Sequence, residues 1–268
     1  MFVFSRENTG SIAKWWRNVD KQILFLFLLF FLLGLFFSFS STSSVVAEKM
    51  NKQTYFFFIR HLVFVSVSFF LIILISVQDK DKLIKYLPIL FFISVLLLSL
   101  VPLFGVEVKG SRRWMDFPLL PRFQPVELVK PLFIVFVAKI IVLNEKTNLY
   151  RRYAYSFLVL LFILGLLINQ PDFGQTLLIA SVWITMIFVS GFNMFILSVL
   201  ILIFFCIIVF LIFFFPEKFG YVFFRLKTFI DPKSGDTFQS EKALDAIKQG
   251  GFTGQGMGEG ILKDRVPE

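Results

Sequence analysis

The chain has 268 residues, of which 57% are apolar and only 17% charged, and its mean hydropathy is +0.81; for most of this surface water is not the solvent. The net charge of +9 and pI near 9.7 would suggest nucleic acid in a soluble chain, but in a membrane protein they point to anionic lipid headgroups or an anionic substrate. The single cysteine, Cys206, and the single histidine, His61, exclude a disulfide framework, a thiolate or His-rich metal site, and any Ser-His-Asp machinery not built on His61, which is read as an interfacial residue.

A bilayer core about 30 Å thick needs roughly 20 apolar residues in a helix. After a cytoplasmic N-terminal segment (1–21), seven runs meet or approach that length: Gln22 to Phe39, Tyr55 to Val77, Tyr86 to Phe104, Pro125 to Leu143, Tyr153 to Ile168, Gly174 to Val189, and Met194 to Phe215. None alternates as an outer-membrane strand would, so the expected fold is all-α, a transmembrane helix bundle over 22–215. The first run follows Lys14 to Lys21 and could pass for a signal peptide, but it exceeds the usual length and more spans follow, so a retained helix is expected. Residues 216–268 read as an extracytoplasmic loop. It carries a short amphipathic helix capped by Asp236, with Gln239 three residues on, and stopped at Gly250-Gly251. The Lys/Arg distribution favours a cytoplasmic N-terminus. It leaves an excess of cations on the far side, which a negatively charged ligand would explain.

Three polar clusters interrupt the apolar pattern, all on that far side. The first is Gly110-Ser111-Arg112-Arg113-Trp114 followed by Gln124-Pro125-Val126-Glu127-Leu128-Val129-Lys130. Guanidinium forks at Arg112 and Arg113 suit phosphate oxygens, while an interfacial anchor of cations and an aromatic accounts for the same cluster. Glu127 and Lys130 lie inside the start of a span, where an unpaired charge costs roughly 3 kcal/mol, so they are expected to pair. The second cluster, Gln170-Pro171-Asp172-Phe173-Gly174, places Asp172 at a helix start, where a cap is its simplest role. The third runs from Asp231 through Asp236 to Gln239, then into a glycine-rich stretch from Gly250 to Gly260. Its glycines lack the flanking strand and Gly-Lys-Ser/Thr ending of a phosphate loop, and Asp231 and Asp236, taken singly, read as turn and cap residues.

In order and spacing, these four pieces (Gly-Ser-Arg-Arg-Trp, Gln-Pro-Val-Glu-Leu-Val-Lys, Gln-Pro-Asp-Phe-Gly, and Asp-Pro-x-x-Gly-Asp-Thr-Phe-Gln before Gly-Gly-x-x-Gly-x-Gly and Pro-Glu) resemble the FtsW/RodA, or SEDS, family, and more its division branch. The resemblance implies a ten-span fold, of which this chain would hold seven. It also implies a peptidoglycan glycosyltransferase that polymerises lipid-linked disaccharide-pentapeptide precursor in the bacterial inner membrane, at the division septum. An extracytoplasmic aspartate, Asp231 or Asp236 with Asp231 preferred, would be the base of an inverting transfer. Arg112, Arg113 and Lys130 would serve phosphate binding, with Trp114 and Gln239 on the substrate side and Glu127 and Asp172 as polar supports. The resemblance specifies no cofactor and admits a divalent cation. A class B penicillin-binding protein and other division proteins are the implied partners, and nucleic acid is not. The alternatives are a flippase for the same precursor, which would use the same cationic, lipid-open cavity, and a non-catalytic division scaffold.

Overall fold

The computed structural model describes residues 10–41, 55–108, 111–117, 120–143, 148–231 and 238–256. The chain divides into two compact units, residues 1–79 with 231–268 and residues 80–230, each taken by itself below.

In the first unit a short helix, α1 (Ser11–Asn18), leads into α2 (Lys21–Ser41), and α3 (Phe56–Ser76) follows. Asp20 starts α2 by accepting from the N–H groups of Gln22 and Ile23 at 2.9 and 3.1 Å, which suits a carboxylate at the positive end of a helix. α2 and α3 meet through aromatic rings: Phe31 against Phe69 edge-on at 6.0 Å, and Phe39 against Phe58 at 5.4 Å. His61 lies within α3, where its ring sits beside Gly34 of α2. Trp15 of α1 donates to Ser76 at the end of α3 at 2.8 Å. No residue of α3 is buried, and away from α2 side chains such as Val63 and Phe70 are exposed. A further helix, α10 (Phe238–Gly250), lies where the sequence places one and ends as Gly251 turns to a φ of +58°.

The second unit holds the core. Its helices are α4 (Lys80–Phe104), α5 (Val126–Leu143), α6 (Leu149–Asn169), α7 (Phe173–Val189), α8 (Met194–Phe214) and α9 (Pro216–Ile230). α4 buries Leu87, Phe91, Val95, Leu98 and Val101, and α5 buries Val126, Val129, Phe133, Val137 and Ile141. Steps of three and four residues put each set on one stripe. Phe91 stacks on Phe136 at 4.3 Å where these helices face each other. Leu160, Ile163 and Leu167 of α6, with Ile179, Trp183 and Ile187 of α7, complete the same cluster. α8 adds only Leu197 as a buried residue, and α9 turns back along it, bringing Phe223 to 6.2 Å from Phe213.

All seven apolar runs are helical, and five of the helices are long and apolar enough to cross a membrane. Of the other two, α5 carries Glu127, Lys130 and Lys139, and α7 has 17 residues. The all-α expectation is corrected between α4 and α5. There the chain forms a three-stranded antiparallel sheet of β1 (Val106–Val108), β2 (Ser111–Phe117) and β3 (Leu120–Phe123), in the order β1-β2-β3. Gly105 makes the close approach possible, because a Cβ there would collide with the carbonyl oxygen of Val101. α9, another helix not anticipated from sequence, begins at Pro216 directly after the break at Phe215.

α4 contains two prolines, Pro88 and Pro102. A proline inside a helix has no N–H to offer the carbonyl four residues earlier, so the carbonyls of Ile84 and Leu98 lose their helical partners. Each is met from another helix or its flanking turn: Lys139 Nζ of α5 donates to Ile84 O at 2.7 Å, and Gln170 Nε2, just past α6, donates to Leu98 O at 2.9 Å.

Candidate functional site

The sheet and the α6–α7 turn form a polar platform at one end of the second unit. Successive residues of β2 point to opposite faces, so Arg112 and Trp114 are exposed while Arg113 is half-buried and Met115 buried. The neighbouring arginines therefore have different surroundings.

Arg113 reaches the α6–α7 turn. Its Nε donates to Gln170 O at 3.4 Å, its Nη2 donates to Pro171 O, and its Nη1 lies 3.7 Å from Asp172 Oδ1. Asp172 is nearly buried and has several further partners. It accepts from Gln124 Nε2 at 2.9 Å and from the N–H of Gln175 at 3.4 Å, and its backbone oxygen takes the Thr176 hydroxyl at 2.7 Å. The first two polar clusters of the sequence are thus in direct contact, with Asp172 both cap of α7 and counter-ion of Arg113.

Arg112 faces outward. Its Nε lies 3.6 Å from Glu107 Oε2 across the β1–β2 pair, both side chains more than half exposed, and such a contact holds an arginine only weakly. Together with Pro102, Glu107, Ser111, Asn169, Gln170 and Pro171 it lines a cavity of about 230 Å³. Trp114 stands opposite Val106 on the same sheet.

At the start of α5, Lys130 Nζ is 2.6 Å from Glu127 Oε2, the pairing expected from their spacing, and Gln175 Nε2 donates to Glu127 Oε1 at 3.3 Å. Gln175 Oε1 is buried with no hydrogen-bond partner among the described residues. Asp231 follows the last residue of α9 and is exposed. Asp236 lies outside the described residues; Gln239 is in the first turn of α10, its side chain likewise outside what is described.

A divalent cation needs converging oxygens, usually several carboxylates. Here Glu107, Asp116, Glu127 and Asp172 each face a cationic partner, respectively Arg112, Arg122, Lys130 and Arg113. Among the described residues no three His, Cys, Asp or Glu side chains gather as a ligand set. These side chains suit an anion better than a metal ion.

Sequence patterns alone passed over the glutamines: Gln124, Gln170 and Gln175 connect the platform, yet an uncharged amide beside Asp and Arg draws no attention. One signal was available for Gln170. Pro102 in a helix announces an open carbonyl at Leu98, although nothing in the chain says which donor fills it.

The fold and this site define an α-helical membrane protein with a cation-bearing platform at one end of its core. The family model of the FtsW/RodA/SpoVE group, described as cell cycle protein, matches residues 20–268, and the chain belongs to that family. Among its relatives, the probable peptidoglycan glycosyltransferase FtsW of Caulobacter vibrioides is 27% identical over 273 residues, covering 99% of this chain and 67% of the relative. That of Thiomicrospira cyclica is 30% identical over 254 residues, covering 92% and 63%. The chain spans 67% of the length of the first of these relatives and 63% of the second. Of the solved structures, a chain of a peptidoglycan synthase complex that coordinates polymerization and crosslinking superposes with a TM-score of 0.67 at 26% identity, over 88% of this chain and 67% of that one. The rod shape determining protein RodA of Thermus thermophilus gives 0.55 at 26% identity, over 69% and 60%.

Proposed function

We propose that the protein is a peptidoglycan glycosyltransferase of cell division, polymerising a lipid-linked disaccharide-pentapeptide precursor. The observation that carries this reading is the agreement of residues 20–268 with one family, whose matching members bear that name. The chemistry of the platform supports it. The precursor has an isoprenoid tail that needs apolar helix surface, a diphosphate that needs cations, and a sugar hydroxyl that needs a base. Exposed Arg112, beside the cavity, is the cation available to the diphosphate. Arg113, committed to Asp172 and two carbonyls, sets the shape of the platform, and the Glu127–Lys130 pair braces the start of α5.

In the transfer, Asp231 takes the proton of the acceptor hydroxyl, and the freed oxygen attacks the donor's anomeric carbon from the face opposite the leaving group. The bond from that carbon to the diphosphate breaks with inversion, and undecaprenyl pyrophosphate departs with the bonding pair. Asp236 is the alternative base. The N-terminus is cytoplasmic, the platform is extracytoplasmic in the inner membrane at the septum, and a class B penicillin-binding protein crosslinks the product.

The test is polymerisation of fluorescent precursor by the reconstituted full-length protein with its partner. Asp231→Ala is expected to slow turnover by about 10²-fold or more, the range of a lost general base, while Arg112→Ala raises KM. Glycan chains of undiminished yield from both Asp231→Ala and Asp236→Ala would overturn the assignment of the base.

A further inference from the structure

Gln170 is 3% exposed, and its side-chain amide is spent on a backbone carbonyl 72 residues away, that of Leu98, at 2.9 Å. That carbonyl is open because Pro102 cannot donate to it. α4 nevertheless continues to Phe104, and Gly105 N still donates to Val101 O at 2.7 Å. The helix is thus intact on both sides of one missing bond, and the Gln170 amide stands where the missing N–H would have acted. The same arrangement at Pro88, where Lys139 meets the Ile84 carbonyl at 2.7 Å, indicates a repeated solution to the prolines of α4. A carbonyl without a donor in the hydrocarbon interior is costly enough that such substitutes are expected.

Gln170 has a second contact through a different group. Its backbone oxygen accepts from Arg113 Nε at 3.4 Å, and the next residue, Pro171, accepts from the same guanidinium. Pro102 and Gln170 also both line the cavity beside Arg112. Fixing the Gln170 side chain on α4 therefore fixes the two carbonyls that seat Arg113, and with them one wall of the cavity.

We propose that Gln170 is a positioning residue: its amide replaces the N–H that Pro102 lacks, and so holds the turn that seats Arg113 and shapes the Arg112 cavity. Its effect on catalysis rests on the glycosyltransferase reading above, whereas its effect on the turn does not. Gln170→Met removes the amide at similar length and leaves the backbone carbonyl that Arg113 uses. Pro102→Ala returns an N–H to Leu98, which should make the amide dispensable.

The experiment is a double-mutant cycle in the full-length protein in lipid nanodiscs, with Cys206→Ser and a nitroxide on Ser111→Cys at the cavity wall. Gln170→Met is expected to lower the melting temperature by about 4 °C, to loosen the nitroxide spectrum, and to raise KM roughly tenfold with a smaller change in kcat. Pro102→Ala/Gln170→Met should regain most of each loss relative to Pro102→Ala alone. Gln170→Leu, a second side chain without a donor, should show the same damage and the same rescue. Equal damage in both proline backgrounds, or failure of either double variant to fold, overturns the proposal. Rescue of melting without rescue of the nitroxide spectrum also overturns it, since Gln170 would then be a cap and nothing more. A wild-type protein that turns over no precursor would sink the glycosyltransferase reading, and melting and spectrum would still decide the role of Gln170.

Discussion

The Asp172 side chain meets Arg113, Gln124 and the N–H of Gln175, and ties the strand, the start of α5 and the start of α7 together. It is 6% exposed, far less than the side chains of Glu107, Asp116 and Glu127, and Arg113 opposite is 30% exposed. The pair is therefore only partly screened by solvent, and removing one member leaves the other's charge poorly compensated. Asp172→Ala is expected to cost about 2 kcal/mol, with Asp172→Asn milder because its carbonyl oxygen still accepts from Gln124 and from the helix start. Thermal unfolding of the two variants checks the order, and an Asn variant as damaged as Ala would put the weight on the charge alone. The capping role of this aspartate was legible from its place before an apolar run. Its pairing with Arg113 was not, because the two residues lie far apart in the chain, on a strand and in a turn, and no local pattern links them.

Among the elements, the prolines of α4 decide which neighbours it must keep. Lys139 lies four residues from the end of α5, where a charge in a span is ordinarily a functional marker; here its ammonium is used on the carbonyl that Pro88 leaves open. Lys139→Met should therefore be more destabilising in the natural background than in Pro88→Ala, by about 1 to 2 kcal/mol, and equal effects in the two backgrounds would refute the pairing. Helices were the most legible feature of the sequence, since long apolar runs leave the backbone no alternative in lipid. The sheet was hidden because the covered face of β2 alternates a basic residue with Met115, so hydrophobicity shows no period of two. α9 was hidden because Glu217, Lys218, Arg225 and Lys227 dilute the apolar residues that pack it on α8.

For the molecule as a whole, the parity of the helices places charge. Within the second unit, helices joined by short turns run antiparallel, so Lys80, Lys82, Arg151 and Arg152 sit at the end opposite the sheet. With the orientation proposed above, a cysteine at Arg122 in a Cys206→Ser background reacts with an impermeant maleimide in intact cells, and one at Lys82 reacts only after permeabilisation; the reverse pattern would invert the topology. That the seven apolar runs are helices followed from composition, and five of the described helices are long and apolar enough to cross a membrane. The adjacent arginines took on different meanings only once the sheet and turn showed that Arg113 is held by the α6–α7 turn while Arg112 faces outward. The prolines of α4 also bear on biosynthesis. The ribosome delivers Ile84 55 residues before Lys139 and Leu98 72 residues before Gln170, so the nascent helix has two carbonyls still without these donors, and that of Leu98, inside the apolar run, costs about 2 kcal/mol or more in hydrocarbon. Until α5 and α6 emerge, those carbonyls are best served by water at the insertion machinery or by lipid headgroups. The hydrogen bonding of α4 is therefore completed only by segments made after it.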